Sequence, residues 1–202
     1  MIDSWNKLTV GKYLEIKEII EDDNSDIDKS VGLLCVLGDY DEETVLDLPV
    51  VTFNRLIQST GFLYEEPKPR PIATKYKLNN MVLEVSVDIN KLTTSQFIDY
   101  QTFVKNEKYI IDLLSVFLIP QGSTYNNGYD IDDVKKVIRD NLCILDALGI
   151  SAFFLLEYQA LLKSTVTYSM KQLKKMLKKE KNETRRKMLM EALKNLEESG
   201  VL

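Results

Sequence analysis

The stretch Leu145–Leu162, LDALGISAFFLLEYQALL, decides the fold class. It is nearly all apolar and too long for an ordinary strand, so it predicts a helix that needs burial on most sides and forms the central core element. The longest apolar stretch in the chain, Ile150 to Leu156, is far too short to span a bilayer.

Downstream the character changes. The tail from Val166 to Ser199 is rich in Lys, Leu, Met and Glu, with Met170, Leu173 and Leu177 on one face and Leu189, Leu193 and Leu196 on another. Asn182 followed by Glu183 reads as a helix cap, so the tail is either a long bent helix or a helical hairpin. The residues from Lys163 to Leu202 carry eleven Lys and Arg against five Glu, a net of +6. Those from Met1 to Leu162 carry fifteen against twenty-six, a net of −11, and together they give the −5 of the whole chain. The two parts therefore present different surfaces.

Upstream, Thr9 precedes a helical pattern of Val10, Tyr13, Ile16 and Ile20. An acidic run, EDDNSDID, separates it from a second helix carrying Ile27, Val31, Leu34 and Cys35, which Gly38 is expected to end in a left-handed conformation. DEETVLDLP reads as a short helix, and Pro49 as the first position of the next, with Phe53, Leu56 and Ile57 inward and Gly61 closing it. The segment EEPKPRP, whose prolines lack backbone donors, marks a boundary. Tyr76 and Leu78, an Asn79-Asn80 turn, then Leu83, Val85 and Val87 predict one β-hairpin. Thr93 or Thr94 caps a helix with Phe97, Ile98, Tyr100, Gln101 and Val104, and another runs from about Glu107 to Leu118 before Pro120. Asp130 caps a charged helix through Ile131, Val134 and Ile138.

The expected architecture is mainly α, with one small β-hairpin and a long basic C-terminal helix or helical hairpin. Its parts are an N-terminal helical subdomain at 1–63, a Pro-rich linker at 64–71, a hairpin plus helical core at 72–162, and a basic amphipathic helical tail at 163–202.

Several kinds of chemistry find no support. With two distant cysteines, Cys35 and Cys143, and no histidine, a usual zinc site cannot be built, and a serine or cysteine nucleophile lacks its common base. Aligning a calcium loop on Asp22 puts Ile27 where glycine is needed and Leu33 where the bidentate glutamate belongs. The eight glycines never cluster into a phosphate-binding loop. The expectation is a protein that is not an enzyme and takes no cofactor, metal or small-molecule substrate. MIDSWNKLTV has neither the basic start nor the apolar core of a signal peptide, which predicts a soluble intracellular product without a membrane partner.

Two stretches are candidate contact surfaces. In the loop Gln121–Tyr129, Tyr125 and Tyr129 stand beside flexible Gly and Asn, which fits an interface patch or a tight loop folded onto the core. In the tail, Leu173, Lys174, Lys175, Leu177, Lys178, Lys179, Arg185, Arg186, Lys187, Leu189 and Leu196 fit docking on an acidic protein surface, a solvated face, or phosphate contacts.

The order of features, WNKLTVGKYLEI, the Pro49 helix, the proline segment, the hairpin, LTTSQFIDYQ, FLIPQGSTYNNGYDI, AFFLL and a lysine-rich end, resembles structural-module proteins of tailed phages of gut bacteria, including the crAss-like phages. The marks that carry it are Leu8, Thr9, Tyr13 and Ile16, then Pro120, Gly122, Tyr125, Asn126, Gly128 and Tyr129, and Phe153 with Phe154. The resemblance implies a virion protein of the portal, tail or cargo type, assembled in the host cytoplasm in several copies among other phage structural proteins. It equally fits a tail assembly chaperone, and it carries over no active-site residues.

Overall fold

The computed structural model describes residues 1–85, 87–88, 91–104 and 106–198, without the side chains of Glu107 and residues 196–198. The chain is mostly helical, with a small antiparallel sheet and a long C-terminal helix, and it divides into two compact units, Met1–Ala152 and Phe153–Leu202.

The first unit opens with α1 (Val10–Glu21), α2 (Asp26–Gly38), α3 (Glu42–Leu46) and α4 (Val50–Ser59). Polar side chains start three of them by accepting an orphan backbone N–H, Thr9 from Lys12, Ser25 from Asp28 and Asp41 from Thr44. Val31, Leu34 and Val45 form a buried cluster against which Cys35, Leu48, Phe53, Leu56 and Ile57 pack. Two local expectations are corrected. The left-handed residue after α2 is Asp39, φ 53°, because Gly38 lies under the ring of Tyr40, where a Cβ would overlap it. Pro49 precedes α4 as its cap instead of opening it.

The hairpin gains a third strand. β1 (Lys75–Leu78) pairs with β2 (Met81–Val85), and β2 pairs with β3 (Leu118–Pro120), all antiparallel. Tyr76, Leu78, Leu83, Val85 and Leu118 point inward, while Lys75 and Glu84 pair outward at 2.8 Å. β3 follows directly from α6 (Ile110–Phe117), so Leu118, read as the helix end, is strand. Proline lacks a ladder donor, and it sits on this edge strand where none is needed. Val87 lies outside the strands.

Helix α5 (Thr94–Phe103) starts at Thr93 in a capping box with Gln96. Its inward face differs from the expected one: Ile98 is exposed, and Gln96 is buried. The reason is polar. The Gln96 amide donates to the Val116 carbonyl at 3.1 Å, satisfying an acceptor near the end of α6, and its oxygen accepts from Thr93 N–H. Helix α7 (Ile131–Asn141) is capped by Asp130 and held by Lys135–Asp112 at 2.6 Å and Arg139–Glu15 at 3.3 Å.

The decisive stretch lies in α8 (Ile144–Lys179), a single helix of 36 residues. Ile144, Leu145, Ala147, Ile150 and Phe154 are buried, but Leu155 and Leu156 are 44% and 66% exposed, so the expected burial on most sides ends after three turns. By length and composition α8 is long and apolar enough to cross a membrane, with an 18-residue window of mean hydropathy 1.4, a third of it buried. Its beginning is packed inside the first unit. Residues 8–10 form a two-bond bridge with residues 142–144: Val10 N–H donates to Leu142 O at 3.0 Å and Ile144 N–H to Leu8 O at 2.9 Å. The proline segment also lies within this unit. Arg70 N–H donates to Leu145 O at 3.0 Å and its guanidinium to Asp146 at 2.8 Å, across Gly149, where a Cβ would overlap the Arg70 carbonyl oxygen.

Two stability predictions follow from these contacts. Gly149→Ala forces rigid backbone apart and should cost about 1–3 kcal/mol, read as a lower melting temperature by circular dichroism. Gln96→Leu removes the partner of a buried carbonyl and half of a capping box, and should cost about 1–3 kcal/mol, read as an earlier urea midpoint at unchanged m-value.

Candidate interaction surface

The two loop tyrosines are turned toward the protein. Gly122 and Gly128 take φ near +84° and +85°, and Asn126 takes +57°, which folds residues 121–129 tightly; Thr124 and Asn127 exchange backbone bonds at 3.2 and 2.9 Å. Tyr125, half-buried, donates its hydroxyl to Asp99 of α5 at 2.6 Å. Tyr129, also half-buried, accepts the Asn126 N–H at 3.3 Å. The loop is thereby pinned to the domain through Tyr125. Burial, together with the hydrogen bond to Asp99 and its charge, pushes the Tyr125 phenol well above its ordinary value.

The acidic run between α1 and α2 serves the backbone. Asp22 accepts from Asp23 N–H and the Asn24 amide, and Ser25 and Asp28 bond across the start of α2. Among the described residues no group of three or more His, Cys, Asp or Glu is placed to hold a metal ion. Both cysteines are free thiols, and burial with the charges of Glu42 and Asp41 raises that of Cys35.

The second unit separates apolar from charged residues by face. Asn182 interrupts the tail as the cap of α9 (Glu183–Glu198), accepting Arg185 N–H at 3.1 Å. Along α8, Val166, Met170, Leu173 and Leu177 are half-buried, as is Leu189 on α9, where Leu193 is buried. Leu196 lies outside the described side chains. The charged candidates Lys174, Lys175, Lys178, Lys179, Arg185, Arg186 and Lys187 are all exposed. Lys171, Lys174, Lys175 and Lys178, with Thr167, Met170 and Gln172, line an open groove of about 760 Å³.

Chain periodicity alone pointed to the leucines as the contact face. Of these leucines Leu193 is buried and Leu173, Leu177 and Leu189 are half-buried, while the more exposed apolar side chains of the tail include Tyr168 at 64%, Met176 at 55% and Met188 at 66%. At helical spacing Tyr168, Lys171, Lys175 and Lys179 share the side of α8 away from Leu173 and Leu177, and Met176 lies on the flank between the two faces. The first unit carries its own exposed apolar residues, Ile27 and Leu46, around a second groove. Periodicity misled at Ile27, which continues the apolar spacing of Val31 and Leu34 but stands in solvent at the first turn of α2.

The tyrosine pin predicts an alkaline signature. Its folded phenol holds its proton above the pH at which the unfolded one, near pH 10, releases it, so the contribution is complete below that pH and is lost as pH climbs beyond it. Tyr125→Phe should cost about 1.5–3 kcal/mol at neutral pH, the range for a bond to a charged group, and should flatten the fall in stability above pH 10 in denaturant titrations. No family model, no curated protein and no solved structure matches this chain.

Proposed function

We propose that the chain is a non-enzymatic component of a tailed-phage particle, held in the head, portal or tail assembly in several copies by protein contacts. The phage assignment rests on the resemblance carried by Leu8, Thr9, Tyr13 and Ile16, the loop from Pro120 to Tyr129, and Phe153 with Phe154. The mode of action rests on one observation: the tail offers an exposed face of lysines with Tyr168 among them, on a chain whose remainder is strongly acidic. Protein interfaces favour apolar anchors ringed by polar groups, and Tyr168 with Lys171, Lys175 and Lys179 has that composition.

Stoichiometric presence in purified particles, measured by mass spectrometry, supports this reading. Abundance in infected cells with absence from mature particles overturns it in favour of a tail assembly chaperone. Charge reversal of Lys171, Lys175 and Lys179 to Glu in the full chain should abolish incorporation while leaving the circular dichroism spectrum intact.

The lysine-lined groove supports a second reading, contact with nucleic acid through phosphates. In that case binding to a DNA duplex falls steeply with salt, with a slope that drops by about one for each phosphate-contacting lysine removed.

A further inference from the structure

We propose that the acidic groove of the first unit is the seat for the basic outer face of a second copy's α8, so that copies associate head to tail. The proposal rests on the assembly reading above and names the partner of that face.

The groove encloses about 620 Å³ beside α1, α2 and α3. Ile19, Val31 and Val36 line it, and Ile27 and Leu46 stand beside them at 70% and 65% exposed, which leaves apolar surface in water without a covering group. Asp22, Asp28 and Glu42 border the same space. Against these three carboxylates stands one cation, Lys29, whose ammonium donates to the Ile20 carbonyl at 3.0 Å, so the border keeps a negative balance. An apolar floor with carboxylates around it is what an amphipathic helix with cations flanking an apolar anchor needs. The stripe of Tyr168, Lys171, Lys175 and Lys179 has that composition, with three cations at one-turn and two-turn spacings against three carboxylates.

Charge selects the geometry of association. Two bodies of net −11 repel, and two tails of net +6 repel, so body to tail is the favourable pairing of two copies. A contact between two different patches is heterologous and closes into a ring or extends into a filament. Either suits a component present in several copies.

The test uses the full chain in sedimentation velocity across protein concentration, at low and high salt. Wild type should show a concentration-dependent mass that falls with salt. The groove pair Asp22→Lys with Glu42→Lys, and the tail set Lys171→Glu, Lys175→Glu and Lys179→Glu, should each weaken association by about tenfold or more. Combining the two sets should restore it. All five positions are exposed, so unchanged circular dichroism verifies folding. A wild-type monomer at every concentration overturns the proposal, as does loss of association in the tail set alone or the absence of rescue. Incorporation into particles without self-association overturns this seat while the assembly reading stands; self-association with absence from particles overturns the assembly reading alone.

Discussion

The close approach of the Arg70 backbone to α8 at Gly149 constrains the whole first unit. Prolines at 67, 69 and 71 leave Arg70 among residues without donors, and its N–H goes to Leu145 O while its guanidinium reaches Asp146 and Asn6. Residues 142–144, leading into α8, exchange two backbone bonds with residues 8–10, leading into α1. Helix starts leave N–H groups unpaired, and here the residue two before each helix, Leu8 and Leu142, supplies the acceptor for the first donor of the other. The N-terminal segment, the proline segment and the core helix are thereby fixed to one another by main-chain geometry, which side-chain substitution cannot easily replace. Trp5 extends this join, donating to Glu65 O at 3.1 Å and packing edge-on against Phe62.

The sheet depends on a similar economy. A two-stranded ribbon is marginal alone, and β3 completes it with the three residues that directly follow α6. Gln96 then ties α5 to that end through the Val116 carbonyl, so a polar side chain occupies a core position because the backbone there needs a donor. One turn along α5, Asp99 accepts the Tyr125 hydroxyl and ties the loop to the same helix.

The second unit works by segregation. Its exposed ion pairs, such as Lys187 with Glu183 at 3.7 Å, contribute little to stability. Screening over about 8–10 Å at ordinary ionic strength limits what charge can do at a distance. Charge therefore serves to orient an approaching partner, and affinity has to come from apolar groups. Tyr168 supplies such a group on α8, within the ladder of lysines.

The helical class, the caps at Thr9, Asp130 and Asn182, the β1–β2 turn at Asn79 and Asn80, and the charge division were all legible along the chain, because each depends on residues within a few positions of one another. The fit of Gly149 to Arg70, the choice of Gln96 over Ile98 for the core, and the conversion of residues 118–120 to a third strand depend on groups from about twenty to eighty positions away. Periodicity carries no information about such partners. The same limit governed the contact surface. The leucine stripe of the tail was visible as a pattern, but only tertiary structure decided that Leu193 is buried and Leu173, Leu177 and Leu189 are half-buried, and that Tyr168 and the lysines are left to solvent, because burial is a property of what lies opposite a side chain and not of its neighbours in sequence.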